Sequence, residues 1–261
     1  MLPGHDADTQ HETAQVKRLK RQNTELKQLN SAKDEFIALA SHQLRTPATG
    51  VKQYLGMLLE GYMGPIPPQQ RDFLQKAYES NERQLSTIND LLQIAQIDSN
   101  KIVLHPSALD VAELIDAVAN EQKGTATNRR QGIVVRKRGG PFGVMADELR
   151  LRMVLDNLVD NASKYSPENT TVTITLSSDD TEVVVEVADQ GVGIAPEDLE
   201  KLFHKFSRID NPRSITVGGN GLGLYLAQRI MLAHHGRIDV TSTLQEGSTF
   251  TVHIPRSSQK L

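Results

Sequence analysis

The spacing of apolar residues changes once along this chain, near Pro106, and that change sets the order of its structural parts. Before it, apolar residues recur every three or four positions, which predicts helices. After it, short runs of Val, Ile and Thr alternate with helical segments, which predicts a sheet layered with helices. We therefore expect a helical module over residues 14–100, a linker over 101–108 and an α/β module over 109–257.

The chain ends and the composition narrow the class of protein. Residues 1–13 and 258–261 show no apolar period, and we interpret them as a disordered start or tag and as a tail. Cysteine is absent, and 29 basic against 32 acidic residues give a formal charge of −3, so neither disulfides nor a nucleic-acid-binding surface is expected. No apolar run approaches the roughly 18 residues of a membrane span and no signal peptide is apparent, so we expect the cytoplasm.

A heptad frame fits the first part of the helical module. One seam position is occupied by Val16, Asn23, Asn30 and Ile37, and the other by Leu19, Leu26, Lys33 and Ala40. Asn at a seam lowers stability but favours a parallel dimer in one register, so we expect a weak coiled coil. A charged helix with an incidental apolar stripe is the alternative.

Two long helices should form a hairpin. The first helical pattern continues through Pro47 and ends at Gly61. Residues 62–68 carry the Gly and Pro of a turn, and Pro68 can open a second helix that runs to about Asp98. One hairpin leaves apolar faces uncovered, whereas two copies cover them as a four-helix bundle, so a homodimer is expected.

The second module alternates helical and strand patterns. The predicted helices cover 110–121, 147–163 and 225–233, and the predicted strands cover 171–176, 182–188, 238–242 and 249–254. This succession is typical of an α/β sandwich, so the fold class is α + α/β.

The first helix carries the run Ser41-His42-Gln43-Leu44-Arg45-Thr46-Pro47. A neutral imidazole is nucleophilic near neutral pH, and on an exposed helical face it can be reached by a substrate and by a docked protein. A single helical histidine is more often structural or merely solvated, so this run gains weight only from the motifs that follow.

A polar face is predicted on the helix that contains residues 156–166. Asn157 and Asn161 stand four apart and Lys164 follows three further on, so the three side chains share one face. Amide oxygen suits Mg²⁺ held together with phosphates, and the lysine supplies a positive charge. Local capping or a solvated polar face is the alternative.

A carboxylate at a strand end begins the run Asp189-Gln190-Gly191-Val192-Gly193-Ile194. The glycine turn behind it allows a ligand to approach the backbone closely. An ordinary Asp-Gly turn is the alternative.

A second glycine run, Gly218-Gly219-Asn220-Gly221-Leu222-Gly223-Leu224, precedes a helix. Its amides are expected to face a phosphate at the helix N-terminus. A dinucleotide-binding fingerprint would instead follow the first strand of a βαβ unit near a domain start, and this run comes late. The polar segment 207–217 fits a lid that orders over a nucleotide.

In this order and spacing the motifs resemble those of sensor histidine kinases, from Ala32 to Pro255, with residues 203–206 similar to the F box and 247–250 to the closing strand. The resemblance implies a dimeric helical hairpin followed by an ATP-binding α/β sandwich of the Bergerat or GHKL type, shared with gyrase, Hsp90 and MutL. It also implies ATP and Mg²⁺ as cofactors, autophosphorylation, and phosphotransfer to an aspartate of a response regulator receiver domain.

The resemblance assigns roles by position. His42 matches the phosphoacceptor, with Gln43 and Thr46 in the same box. Asn161 matches the Mg²⁺ ligand, and Asp189 matches the acceptor for the adenine amino group. The other expected ATP contacts are Asn157, Lys164, Tyr165, Gly191, Gly193, Ile194, Lys205, Arg208, Gly219, Gly221, Leu222, Gly223 and Thr249.

Gln43 departs from the family, which commonly has Glu or Asp after the phosphoacceptor. A Gln carbonyl can accept the Nδ1–H bond of the imidazole, but it does not stabilise a developing imidazolium as a carboxylate does. We therefore expect slower autophosphorylation than a Glu would give. Gln43 and Thr46 also match the family's phosphatase motif, in which the threonine helps to position a water against a phosphoaspartate.

Two alternatives to a kinase remain open. One is another ATPase or chaperone of the same superfamily with the hairpin as a dimerisation arm, and the other is a scaffold that has lost kinase activity at Gln43.

A core that begins in a coiled coil normally continues from an input domain. We expect either such a domain upstream, with this chain as the cytoplasmic part of a longer membrane-bound sensor, or an unusually short protein.

The adjacent His234 and His235 receive no metal, because neighbours on a helix point in different directions. His235 stands where the family usually has glycine, and this residue is expected to affect the exit from the helix.

Overall fold

Two units divide the chain, Met1–Lys101 and Ile102–Leu261. The division falls at the start of the predicted linker. The computed structural model describes residues 5–98, 103–207, 209 and 220–256. None of the described helices combines the length and the apolar character that a bilayer crossing needs.

Helices α1 (His5–Leu59) and α2 (Pro68–Asp98) form the predicted hairpin. Ala48 of α1 and Ile88 of α2 are buried. Asn81 of α2 is buried as well, and its Nδ2 donates to the Ala48 carbonyl at 2.8 Å, so a hydrogen bond joins the two helices at this level.

The first helix begins earlier than the sequence pattern predicts. Residues 5–13, expected to be a disordered start, belong to α1. No Gly or Pro stands between position 5 and Pro47, so no residue breaks the helix on the N-terminal side of its apolar stripe. The expectation is wrong for these residues, and positions 1–4 lie outside the described residues.

The second unit is an α/β sandwich, as the fold class predicts. Its elements are β1 (Ser107–Asp110), α3 (Val111–Asn128), β2 (Gly132–Arg138), β3 (Gly143–Ala146), α4 (Glu148–Tyr165), β4 (Thr171–Ser178), β5 (Glu182–Ala188), α5 (Pro196–Leu199), α6 (Gly223–Ala233), β6 (Arg237–Thr243) and β7 (Gly247–Pro255). In the described part of the unit, five strands form one sheet in the order β2-β4-β5-β7-β6, parallel between β2 and β4 and antiparallel elsewhere. Strands β1 and β3 pair separately.

Helix α4 packs against both α3 and α6, and each of the three helices packs against the sheet. Val183, Val185 and Val187 of β5 are buried while the residues between them are half-buried, so alternate side chains of the strand enter the core. Leu151 and Leu158 of α4 are fully buried among them. The core of the unit therefore lies between the helices and one face of the sheet.

Strands β1, β2 and β3 complete the fold without a clear sequence signal. β1 and β3 have four residues each, and β1 includes Ser107 and Ala108 from the predicted linker. In β2, an edge strand, three apolar residues are followed by three basic ones, which hides the strand pattern. Their partners are distant in sequence, so no local turn predicts them.

His234 joins the start of α4 to the end of α6. Asp147 caps α4 by accepting from the Arg150 amide at 3.0 Å, and its own amide donates to Nε2 of His234 at 3.0 Å. Nδ1 of His234 lies 2.9 Å from the Ile230 carbonyl, so the tautomer that carries its proton on Nδ1 satisfies both ring nitrogens. Burial raises the pKa of Asp147, but the amide bonds from His105 and Arg150 prevail and hold this pKa below its usual 3.8.

His235 follows α6 with φ of +58°, in the left-handed region that favours glycine. A side chain in this region costs roughly 1 kcal/mol. We expect His235→Gly to raise the free energy of unfolding of the second unit by about 1 kcal/mol in urea denaturation of the full chain. His235→Ala keeps the Cβ and should give no such gain, so equal stabilisation by both substitutions would contradict the backbone explanation.

Candidate functional site

The predicted phosphoacceptor, His42, is exposed on α1. Ser41 and Ala48 are buried, so the helix turns their side inward and presents His42 outward. Thr46 is exposed, and its Oγ1 donates to the His42 carbonyl at 3.3 Å. Gln43 is exposed too, and among the described residues no hydrogen bond joins it to the His42 ring. The hairpin thus offers an accessible imidazole.

Asn157 and Asn161 lie on one face of α4, as the spacing predicts. Nδ2 of Asn161 donates to Oδ1 of Asn157 at 3.1 Å, which directs Oδ1 of Asn161 away from its neighbour. Lys164 continues this face, but its ammonium pairs with Asp160, and Arg129 lies 3.7 Å from the same carboxylate. The face therefore presents an amide oxygen next to a lysine whose charge is partly balanced.

Asp189 follows β5, and two backbone amides hold its carboxylate. Oδ1 accepts from the amides of Gly191 at 2.8 Å and Ser248 at 3.2 Å, while Oδ2 makes no hydrogen bond within the described residues. Burial raises the pKa of Asp189 above 3.8, against the two amide bonds, which lower it. Thr249 pairs with Ala188 beside this carboxylate. The result is a half-buried acceptor with one oxygen available to a ligand N–H group.

The first glycine run packs against backbone at points where a side chain does not fit. A Cβ at Gly191 would lie 2.7 Å from the carbonyl oxygen of Tyr165, the last residue of α4. A Cβ at Gly193 would lie 2.0 Å from a backbone carbonyl of β6. Ile194 is buried, and its amide donates to Ser242 Oγ at 2.9 Å. These contacts bring the end of α4 next to Asp189.

The second glycine run lies against two other motifs. A Cβ at Gly223, the first residue of α6, would lie 2.0 Å from Nδ2 of Asn157. A Cβ at Gly221 would lie 2.6 Å from the Ser207 carbonyl, and its φ of +68° also favours glycine. The run therefore contacts both the Asn157 face of α4 and the segment after the F box.

Leu222 corrects one detail of the prediction. Its side chain is fully buried, and its amide donates to Oδ1 of Asn220 at 3.2 Å instead of remaining open to a phosphate. Within the described residues no side chain caps the N-terminus of α6, an arrangement in which the first backbone amides of the helix suit an anion. Arg208 and Gly219, and most of the predicted lid 207–217, lie outside the described residues.

Lys205 of the F box reaches the same end of α6. Its side chain is exposed, and Nζ lies 5.1 Å from the centre of the Tyr225 ring. Tyr225 is the third residue of α6, so the ammonium contacts a side chain of the first turn of the helix.

Four residues of the site were missed by sequence reasoning. Asp160 pairs with Lys164 at a helical spacing of four, which is a recognisable signal. Asn220 lies inside the glycine run, and Tyr225 lies in the first turn of the helix behind it, but their contacts carry no signal in the sequence. Ser248 acts through its backbone amide, for which side-chain identity gives no signal.

A carboxylate, an amide face and a helix N-terminus, brought together by glycine contacts, define the second unit as a nucleotide-binding domain, and the first unit as a hairpin that presents a histidine. Residues 146–258 match the family of histidine kinase-, DNA gyrase B-, and HSP90-like ATPases, and residues 32–100 match the His Kinase A (phospho-acceptor) domain. The chain belongs to the histidine kinase family, as the two-domain core of a sensor histidine kinase.

Curated relatives agree with this assignment. The chain is 33% identical over 231 residues to the circadian input-output histidine kinase CikA of Synechococcus elongatus, covering 88% of this chain and 31% of that protein. It is 32% identical over 244 residues to the sensor histidine kinase WalK of Bacillus subtilis, covering 91% of this chain and 39% of that protein. The chain thus spans less than half the length of these relatives.

A solved structure agrees as well. Full-length ShkA in complex with AMPPNP superposes with a TM-score of 0.71 at 31% identity, covering 87% of this chain and 47% of that one.

The burial of Asp189 predicts a measurable instability of the ligand-free site. Asp189→Asn keeps an oxygen for the amides of Gly191 and Ser248 but removes the buried charge, so we expect it to raise the melting temperature near neutral pH. Because the folded pKa of Asp189 is raised, the gain should be present at neutral pH and shrink as the pH falls toward 3.8. A gain that does not depend on pH, or a lower melting temperature, would contradict this assignment.

Proposed function

We propose that this chain transfers the γ-phosphoryl group of ATP to Nε2 of His42 and from there to an aspartate of a response regulator receiver domain. The observation that carries the proposal is the presence, in one chain, of an exposed histidine on a phosphoacceptor hairpin and of an ATP-binding sandwich with its motifs in contact. The AMPPNP complex of ShkA supports ATP as the nucleotide.

Asp189 is the residue proposed to recognise adenine. Its Oδ2 accepts from the adenine amino group, while the two amide bonds to Oδ1 prevent the carboxylate from turning away. Guanine has a carbonyl oxygen in place of that amino group, so two acceptors would meet and binding would weaken. The site is therefore expected to prefer ATP to GTP.

The phosphates are proposed to lie at the start of α6. The uncapped helix N-terminus supplies backbone amides and positive potential, and the Lys205 ammonium lies beside it. Lys164 is a weaker source of charge because it pairs with Asp160.

The α4 face fits a Mg²⁺ ion shared with the nucleotide. Asn161 would hold the ion through Oδ1, and Mg²⁺ commonly takes one or two protein oxygens together with phosphate oxygens and water. In the part of the chain that the structure describes, no cluster of three His, Asp or Glu side chains could hold a metal without the nucleotide. When bound, the ion offsets negative charge on the phosphates.

The reaction forms one bond and breaks another at phosphorus. The Nε2 lone pair of His42 attacks the γ-phosphorus in line, and the bond to the β,γ-bridging oxygen breaks, so that ADP leaves with that electron pair. The imidazole then loses its Nδ1 proton. No described residue accepts a hydrogen bond from this nitrogen, so water accepts the proton. The neutral amide of Gln43 does not accept a proton as a carboxylate would.

The hairpin is proposed to pair with a second copy. Apolar side chains remain exposed on it at Phe36, Leu44, Val51, Tyr54 and Phe73. Two copies packed as a four-helix bundle would cover them and leave His42 accessible to ATP and to the response regulator.

Incubation with γ-labelled ATP and Mg²⁺ tests the proposal. We expect label that is labile in acid and stable in base, as a phosphoramidate is, on the unmodified chain and on a control, His235→Ala, but not on His42→Ala. ATP hydrolysis without label would favour the ATPase alternative. Nucleotide binding without label or hydrolysis would favour the scaffold.

Gln43→Glu tests the limiting role of residue 43. A carboxylate at this position can accept the Nδ1 proton, so we expect the single-turnover rate of autophosphorylation to rise by about tenfold or more. Gln53→Glu adds the same charge at another exposed position of α1 and should leave the rate unchanged. An unchanged rate in Gln43→Glu would mean that proton acceptance is not limiting.

A further inference from the structure

The contact between Lys205 and Tyr225 joins a flexible cation to a fixed ring. The lysine side chain is flexible, and that of Lys205 is exposed. Its Nζ nevertheless lies 5.1 Å from the Tyr225 ring centre, within the cation–π range of about 6 Å. Tyr225 is half-buried, and the next residue of α6, Leu226, is buried in the core. The ring is therefore held in place by the fold, and its contact with the ammonium restricts where the end of the Lys205 side chain lies.

The backbone that carries Lys205 is fixed at a second point. A Cβ at Gly221 would lie 2.8 Å from the carbonyl carbon of Phe206, the residue after Lys205, so the two segments are in direct contact. Both the main chain and the head of Lys205 are thus held to the segment that opens α6.

The position of this charge suits an anionic ligand. A cation beside a helix N-terminus is unfavourable, because that end already carries positive potential. Helix α6 has neither an acidic residue in its first turn nor a side-chain cap. The electron-rich face of Tyr225 offsets part of this repulsion, and an anion placed between the ammonium and the helix amides would offset more.

We propose that Tyr225 is a positioning residue that holds the Lys205 ammonium at the start of α6 for the phosphates of the nucleotide. This inference rests on the proposed ATP site and adds a residue for which no role was expected. Only the ring face is required, because the contact is between the ammonium and the π system. Phe therefore preserves the function and Leu removes it.

The test compares two ligands on the full-length chain by calorimetry: AMPPNP with Mg²⁺, which carries the phosphates, and adenosine, which lacks them. For Tyr225→Leu we expect AMPPNP to bind about three- to tenfold more weakly and adenosine to bind as before. Tyr225→Phe should bind both ligands as the unmodified chain does. Lys205→Met should weaken AMPPNP binding, and adding Tyr225→Leu to it should cause no further loss.

Three results would overturn the inference. Equal weakening of AMPPNP and adenosine by Tyr225→Leu would mean that the tyrosine supports the pocket as a whole. Full AMPPNP affinity in Tyr225→Leu, or additive losses in the double variant, would mean that the ring does not act through Lys205. An unmodified chain that binds neither ligand would overturn the proposed ATP site, which separates that failure from the others.

Discussion

The nucleotide site depends on one steric constraint: α6 begins with a residue that has no side chain, so Asn157 of α4 lies directly against its backbone. This contact places the amide face of α4 next to the helix N-terminus, which is where a metal-bound triphosphate needs both. The end of α6 is joined to the start of α4 by the hydrogen bond from the Asp147 amide to His234. Helix α6 is thus held against α4 at both of its own ends.

The site also contains a charged group, the carboxylate of Asp189, that the fold alone would not favour. Burial raises the pKa of Asp189, and the two backbone amides only partly oppose it. Such groups are commonly retained where a ligand uses them, and the ligand-free domain is then less stable than it could be. The half-buried carboxylate follows this rule, because its free oxygen becomes favourable once the proposed nucleotide supplies an N–H donor.

Sequence alone predicted the elements whose signals are local. Strand β5 has the bounds that its alternating pattern predicts, and α2 begins at Pro68, which can open a helix. The glycine runs and the spaced amides are also visible in the sequence. The contacts of these residues were not predicted. The amide of Leu222 bonds to Asn220, and nothing in the sequence indicates that Lys205 contacts the Tyr225 ring. Short strands with distant partners, such as β1 and β3, were missed for the same reason.

Binding of AMPPNP to Gly223→Ala tests the central claim, that the nucleotide site exists because α6 and Asn157 touch. A methyl group at residue 223 must displace Asn157, whereas one at Gly124, a helical glycine of α3 with open space around it, meets nothing within 4 Å. We predict that Gly223→Ala stays folded and binds AMPPNP at least about tenfold more weakly, while Gly124→Ala binds it normally. Normal AMPPNP affinity in Gly223→Ala would contradict the account.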